Sequence, residues 1–222
     1  MMNQRHQLIF LKPDASFVIH SVHQDNQAIT QQVTEWINKG LPCIYARQLC
    51  HDGVTLSLGL PVLLGNKKYR VGLYLNKNEV IVKQELPRLV DMAGYFAKKN
   101  VLYTNNCLSQ QDLSDFQSIS VYGSYLFEYL SDQPFVREHS DLDLLIDYQQ
   151  GSLAELNQLI IHLKKKLTIL IDGEVRFKNL GDIAFKELVN LSVHQLLFKN
   201  PDEIGLISRH DLYKQYPELR GV

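Results

Sequence analysis

An acidic alternation at residues 141–147 constrains the fold of this chain more than any other feature. Apolar side chains alternate there with aspartates, over the run Asp-Leu-Asp-Leu-Leu-Ile-Asp. Successive side chains of a β-strand point to opposite faces. The spacing therefore predicts a strand over Asp141–Tyr148, with Leu142, Leu144 and Ile146 on one face and Asp141, Asp143 and Asp147 on the other.

The elements around this strand follow a regular order. Ser118–Tyr122 predicts a strand that ends at Gly123 and Ser124, and a helix follows over Tyr125–Leu130. Ser152-Leu-Ala-Glu155 is typical of a capping box, and an amphipathic helix continues from it to Leu167. Further along the chain, the predictions are a strand over Thr168–Phe177, a returning strand over Ile183–Phe185 and a long final helix over Glu187–Lys199.

The first half of the chain predicts a small α+β module. Short strand-like runs surround two helices, which the apolar spacing predicts over Ala28–Lys39 and Leu86–Ala97, with Trp36 on the apolar side of the first. A polar stretch over Tyr103–Ser118 is the best candidate for a domain boundary. We therefore expect an α+β protein with a smaller N-terminal α+β domain, residues 1–112, and a second domain, residues 113–222, with a mixed sheet flanked by helices.

The charge of the chain is balanced overall and unbalanced along its length. The formal net charge is -1, which argues against a protein that coats nucleic acid. Residues 1–112 hold 12 basic and 8 acidic residues, whereas residues 113–222 hold 11 and 16. As a hypothesis, basic residues of the first half, Lys67, Lys68 and Arg70, help to receive a polyanionic substrate.

Cysteine usage and hydropathy indicate where the protein works. The odd set Cys43, Cys50 and Cys107 contains no C-x-x-C pair and predicts reduced thiols. No signal peptide is visible, and no window approaches ~18 uninterrupted apolar residues, the length of a membrane span. We expect a cytoplasmic protein that acts without membrane or nucleic acid.

Three polar motifs in the second half predict a site for a polyphosphate substrate. Gly123 lets the backbone approach phosphate oxygens, and Ser124 adds a hydroxyl at the start of a helix, where free N–H groups favour anions. Asp141 and Asp143 share a strand face and are oxygen ligands of the kind that Mg²⁺ prefers. A third carboxylate from the next strand would complete a site for two Mg²⁺ ions. Asp172 and Glu174 both fit, and spacing does not choose between them.

At these residues the chain resembles the polymerase-beta-type nucleotidyltransferase superfamily, whose pattern is h-G-S, a helix and then D-x-D on a strand. Val121-Tyr-Gly-Ser124 and Ser140-Asp-Leu-Asp-Leu-Leu145 match that pattern. The chain is more closely similar to the malonate decarboxylase holo-acyl-carrier-protein synthase family, also called phosphoribosyl-dephospho-CoA transferase. Further matching blocks are Arg5-His-Gln-Leu8, Gly59-Leu-Pro-Val62 and Asp172-Gly-Glu-Val175. Departures from the family pattern are Phe127 and Phe185-Lys-Glu187, where we expect Trp and Trp-Arg-Glu.

The resemblance implies a nucleotidyltransferase fold in the second domain and a specific reaction. The enzyme would transfer phosphoribosyl-dephospho-CoA from triphosphoribosyl-dephospho-CoA to a serine of the apo acyl-carrier subunit of malonate decarboxylase and release diphosphate. Gly123, Ser124 and Lys67 would bind phosphates. Asp141, Asp143 and Asp172 would hold Mg²⁺, and Asp172 or Glu174 would complete the metal site or take the serine proton. Two other functions stay open: an adenylyltransferase, and an inactive nucleotide-binding regulatory protein.

Overall fold

The computed structural model of the chain describes residues 4–20, 26–101 and 118–221. These residues form twelve strands, β1 Leu8–Leu11, β2 Phe17–Ile19, β3 Cys43–Tyr45, β4 Thr55–Leu64, β5 Lys67–Asn76, β6 Val80–Gln84, β7 Ile119–Tyr122, β8 Leu142–Asp147, β9 Ile171–Phe177, β10 Gly181–Ala184, β11 Gln195–Lys199 and β12 Ile204–Ser208. The α-helices in the same residues are α1 Asn26–Asn38, α2 Ala93–Lys98, α3 Gly123–Ser131, α4 Leu153–Lys166, α5 Phe185–Val189 and α6 Arg209–Gln215. The protein is therefore an α+β protein, as the sequence predicts.

The chain divides into two compact units, and each is built from more than one segment. The first unit contains residues Met1–Leu86, Leu130–Phe135 and Asn200–Glu203, and the second contains Pro87–Tyr129, Val136–Lys199 and Ile204–Val222. The predicted boundary between residues 112 and 113 lies outside the described residues and stays a prediction.

The first unit is an antiparallel sheet with one helix against it. The six-stranded sheet has the order β2-β5-β4-β3-β1-β6. Helix α1 buries Ile29, Val33, Trp36 and Ile37 at helical spacing. Trp36 belongs to the core, as predicted, and its Nε1 donates to the Pro42 carbonyl at 3.0 Å. The Phe135 ring stands edge-on to Trp36, with centroids 5.9 Å apart.

The second unit is a mixed sheet that confirms most of the predicted order. Its six strands have the order β12-β11-β10-β9-β8-β7. Strands β8 and β9 are parallel and are joined through α4, whereas the other neighbouring pairs are antiparallel. The capping box is present, because Ser152 Oγ accepts from Glu155 N and the Glu155 side chain accepts from Ser152 N. Leu142, Leu144 and Ile146 are buried, as the alternation predicts.

Two helix predictions are wrong because the backbone pairs with strands instead. The predicted helix over Leu86–Ala97 is helical only from Ala93. Before that point, Leu89 N donates to the Ile119 carbonyl at 2.8 Å, and the Pro87 carbonyl accepts from Val121 N at 3.0 Å. These groups extend the sheet at β7, so they are not available for helical hydrogen bonds.

The predicted final helix over Glu187–Lys199 ends at Val189. Asn190 Oδ1 accepts from the backbone N and the hydroxyl of Ser192 at 3.2 and 2.8 Å, a local turn that competes with a helix. The chain then forms β11, where Phe198 pairs with Ile183 of β10. An apolar segment that the sequence assigns to a helix is therefore a strand of the sheet.

The predicted reduced state of the cysteines stays a prediction. Cys43 and Cys50 are free, and Cys107 lies outside the described residues. Burial raises the pKa of the Cys43 thiol to about 12. Among the described helices, none has the length and apolar character needed to cross a membrane.

Candidate active site

Two of the proposed metal ligands lie on neighbouring strands of the second unit, beside the end of a third strand. Asp143 of β8 lies opposite Tyr122, the last residue of β7, and in parallel register with Asp172 of β9. Residues in register point to the same face of a sheet. Asp143 and Asp172, here called the acidic pair, are therefore neighbours on one face, next to the point where β7 becomes α3.

Gly123 is required at this point for two physical reasons. Its φ is +71°, in the left-handed region that glycine adopts without strain. A Cβ at this position would also lie 1.9 Å from Asp143 Oδ2. The Asp143 carboxylate occupies the space that a side chain would fill, and the predicted approach of a phosphate to Gly123 stays a prediction. Gly123 therefore brings a metal-ligand candidate against the start of α3.

Helix α3 also holds the loop that leads to the aspartates. Glu128 is buried, and its Oε2 accepts from Val136 N at 2.7 Å. Glu128 Oε1 accepts from the Tyr95 hydroxyl at 3.2 Å and pairs with Lys99 Nζ. This carboxylate thus fastens the loop between α3 and β8 to the helix that follows Gly123. The sequence analysis missed Glu128, although its place on the apolar side of α3 is a usable signal.

Asp141 precedes β8 directly and is half-buried. The backbone around it is fixed, because Leu142 N donates to the Leu170 carbonyl at 2.8 Å. Burial raises the pKa of the Tyr125 hydroxyl, and the charges of Glu128 and Asp141 raise it further. The charge of Asp141 is therefore felt at the Tyr125 hydroxyl, and Ser124 is the second residue of α3.

Asp172 is engaged by two hydrogen-bond donors. Its Oδ1 accepts from Gly173 N at 2.9 Å, and its Oδ2 pairs with Lys186 Nζ at 2.9 Å. Lys186 is the second residue of α5, which begins directly after β10. The sequence predicts no contact for Lys186, because this residue follows a hairpin whose register is not visible in the sequence.

Glu174 has a different environment although it lies on the same face of β9. It is buried, and its Oε1 pairs with Lys199 Nζ at 3.0 Å. Two residues further along β9, Arg176 donates two hydrogen bonds to the buried Asp182, at 2.7 and 3.0 Å. Lys199 lies on β11, which the sequence predicts as helix, so neither its strand nor this ion pair is predicted.

The residues of the acidic pair and Asp141 fit a hard divalent cation by their chemistry. All three offer carboxylate oxygens, and the acidic pair is in register on one face. In this arrangement the ligand atoms of Asp141, Asp143 and Asp172 do not converge to within 4.8 Å of one another. A cation held by all three carboxylates therefore requires these side chains to move closer together.

Lys67 lies in the first unit, apart from this constellation in the chain. It begins β5 and pairs with Leu64 across the tight turn that joins β4 and β5. Lys67, Lys68 and Arg70 are exposed on this hairpin. Their predicted role in binding phosphate stays a prediction.

A strand–glycine–helix junction beside paired carboxylates on a mixed sheet defines a class of α+β proteins whose site suits a phosphorylated substrate. Family comparison is more specific. Residues 100–210 match the C-terminal domain of phosphoribosyl-dephospho-CoA transferase MdcG, and residues 4–84 match its N-terminal domain. The chain belongs to this transferase family, as the resemblance in its sequence predicts.

Similar proteins extend over nearly the whole chain. A phosphoribosyl-dephospho-CoA transferase of Bradyrhizobium diazoefficiens is 26% identical over 93% of this chain and 90% of its own length. One of Xanthomonas axonopodis pv. citri is 26% identical over 96% of this chain and 97% of its own length. No solved structure matches the chain.

Proposed function

We propose that this enzyme transfers the phosphoribosyl-dephospho-CoA group of triphosphoribosyl-dephospho-CoA to a serine of the apo acyl-carrier subunit of malonate decarboxylase, with release of diphosphate. The observation that carries the proposal is the register of Asp143 and Asp172 beside Gly123. The name shared by the similar proteins supports the choice of transferred group. The placement in the nucleotidyltransferase superfamily is part of this proposal.

The proposed reaction exchanges one phosphorus–oxygen bond for another. The serine Oγ of the carrier forms a bond to the phosphorus that is attached to the ribose. The bond from that phosphorus to the bridging oxygen of the diphosphate breaks, diphosphate leaves with the electron pair, and the serine proton passes to a base. Because no covalent enzyme intermediate is required, the protein acts through positioning and charge neutralisation.

The residues of the site divide this work. Asp141, Asp143 and Asp172 would hold two Mg²⁺ ions, which supply charge neutralisation at the phosphate groups. Backbone N–H groups at the start of α3, with Ser124, bind phosphate oxygens next to that site. Lys67 is proposed as a further phosphate-binding residue. We assign the third carboxylate to Asp172, which is in register with Asp143, and a supporting ion pair to Glu174.

A carrier-modification assay tests the proposal. The enzyme is incubated with Mg²⁺, the apo acyl-carrier subunit and triphosphoribosyl-dephospho-CoA, and the intact mass of the carrier is measured. We expect a mass gain equal to phosphoribosyl-dephospho-CoA on one serine, and no gain when that serine is replaced by alanine. A gain from ATP alone would establish the adenylyltransferase function instead.

If neither substrate modifies the carrier while the folded protein binds Mg²⁺ and diphosphate, the proposal is wrong and a nucleotide-binding regulatory protein remains. We place the reaction in the cytoplasm, a reducing compartment in which the free thiols of Cys43 and Cys50 persist.

A further inference from the structure

Lys186 pairs with one of the two Asp172 carboxylate oxygens that a divalent cation could bind. Its Nζ lies 2.9 Å from Asp172 Oδ2, while Asp172 Oδ1 accepts from Gly173 N. Asp172 is in register with Asp143 on the neighbouring strand. A cation that binds both carboxylates through Asp172 Oδ2 therefore competes directly with the Lys186 ammonium group.

The ion pair between Lys186 and Asp172 is easy to break. The two side chains are 64% and 37% exposed, so water solvates both partners when they separate. Exposed ion pairs contribute only about 0–1 kcal/mol to stability. A divalent cation with carboxylate ligands on both sides displaces an ammonium group of this kind at little cost.

The backbone that carries Lys186 is fixed, which limits the movement to the side chain. Arg209 is buried, and its guanidinium donates to the carbonyls of Glu187 and Leu188 in α5 at 3.0 and 2.9 Å. It also donates to the carbonyls of Asn190 and Val193, both at 3.0 Å. Arg209 thus holds the end of α5, and a displaced Lys186 ammonium group stays within one side-chain length of Asp172.

We infer that Lys186 exchanges partners during the reaction: it neutralises Asp172 in the metal-free enzyme, and when a divalent cation takes Asp172 it binds a phosphate oxygen of the diphosphate leaving group. This inference rests on the proposed function, which supplies the diphosphate. In the metal-free state the Lys186 ammonium group lies beside the Asp172 carboxylate, and in the metal-bound state it lies beside a diphosphate oxygen. Lys186 therefore makes the phosphate-binding site complete only after metal has bound.

Two binding measurements with opposite expected signs test this exchange. The first is calorimetric titration of the free protein with Mn²⁺, for wild type and Lys186→Met. Without the competing ammonium group, we expect Mn²⁺ to bind Lys186→Met roughly two- to fivefold more tightly, the range that an exposed ion pair allows. Lys178→Met is the matched control, since it removes an exposed lysine from the other end of the same β9–β10 hairpin.

The second measurement is the affinity for inorganic diphosphate at saturating Mg²⁺. We expect Lys186→Met to bind diphosphate about tenfold more weakly, the loss of one charged hydrogen bond, and Lys186→Arg to recover most of that loss. In the absence of metal, wild type and Lys186→Met should bind diphosphate equally, because Asp172 then holds the ammonium group.

The exchange is supported only if Lys186→Met raises the affinity for Mn²⁺ and lowers the affinity for diphosphate. A structural role for Lys186 would lower thermal stability and change both affinities in the same direction, or neither, and either result overturns the exchange. Neither measurement requires transfer to a carrier. If transfer fails in wild type while the opposite signs are observed, the proposed function is wrong and the exchange stands.

Discussion

Asp172 and Glu174 lie two residues apart on the same face of β9. Each carboxylate oxygen pairs with a lysine Nζ at nearly the same distance, 2.9 Å for Asp172 and 3.0 Å for Glu174. Their surroundings differ. The Asp172 side chain is 37% exposed and its lysine 64%, whereas the Glu174 side chain is 8% exposed and its lysine 34%. Two residues along one strand therefore separate an ion pair that water and ligands can reach from an ion pair whose carboxylate is buried.

The comparison shows that distance alone does not reveal what a charged pair does. An exposed pair forms and breaks readily, which suits a residue that must exchange partners. A pair with one buried partner costs more to break, because water replaces the lost partner less completely. The predictions below separate these two roles, in order of decreasing effect.

The acidic pair should control activity without controlling stability. Asp143→Asn keeps the shape of the side chain and removes its charge, so we expect carrier modification to fall at least about 1,000-fold, as for a residue that acts in the chemical step. The melting temperature should change little. The measurement is the rate of carrier mass gain alongside thermal unfolding. Asp147→Asn, further along β8, is the matched control and should keep most of the activity; equal losses in both variants would contradict the assignment.

Gly123 should be nearly as sensitive as Asp143, because any side chain there meets the Asp143 carboxylate. Gly123→Ala adds a Cβ where Asp143 Oδ2 lies at 1.9 Å and forces alanine to a φ of +71°. A carboxylate displaced by about 1 Å is expected to lower the transfer rate about 100-fold. Gly94→Ala is the control, since a Cβ at Gly94 meets no atom within 4 Å. Unchanged transfer by Gly123→Ala would show that the Asp143 position is not critical.

Glu174 should behave in the opposite way to Asp143. Glu174→Gln puts a neutral amide in the buried position of Glu174 and removes the charge that pairs with Lys199, and we expect a loss of about 1 kcal/mol in the free energy of unfolding. For a chain of this size that corresponds to a fall of roughly 2–4 °C in melting temperature. The double variant Glu174→Gln with Lys199→Met should regain part of the loss. A larger effect on transfer than on stability would place Glu174 among the catalytic carboxylates.

Replacement of Asp52 should have the smallest effect on stability. This carboxylate is held by hydrogen bonds from N–H and O–H groups and not by a lysine. Backbone N–H groups of Thr55 and Val54 and the Thr55 hydroxyl lower its pKa from 3.8 to about 2. Because the folded-state pKa is lowered, Asp52 stabilises the protein above pH 3.8 and this contribution disappears as the pH falls towards about 2. The difference in melting temperature between wild type and Asp52→Ala should be small at pH 7 and smaller at pH 3. A difference that grows on acidification would refute this.

The motifs of the candidate site were accessible from the sequence because they depend on local spacing. Gly123 follows a short apolar run, Asp141 and Asp143 alternate with leucines, and the capping box lies within four residues. Each of these features is set by neighbours in the chain. The strand β8, the start of α3 and the start of α4 could therefore be predicted.

The remaining features depend on which strands become neighbours. Our proposal of Asp172 and not Glu174 as the third carboxylate rests on the parallel register of β8 and β9, which no local pattern encodes. Lys199 was assigned to a helix because the apolar residues around Leu196 also fit helical spacing. Tertiary pairing with β10 overrides that spacing, as sheets often do with short apolar segments.

The composition of the first unit has a consequence for how the protein is made. Its core includes Phe135, which is fully buried near Trp36, and its loops include Pro201, whose carbonyl accepts from Gln48 N at 2.7 Å. During translation, the first 86 residues of this unit leave the ribosome before its other two segments, Leu130–Phe135 and Asn200–Glu203. The first unit is therefore incomplete until residue 203 has been synthesised. We expect no single cut to yield two stable halves, and the nascent first half to depend on the rest of translation for completion.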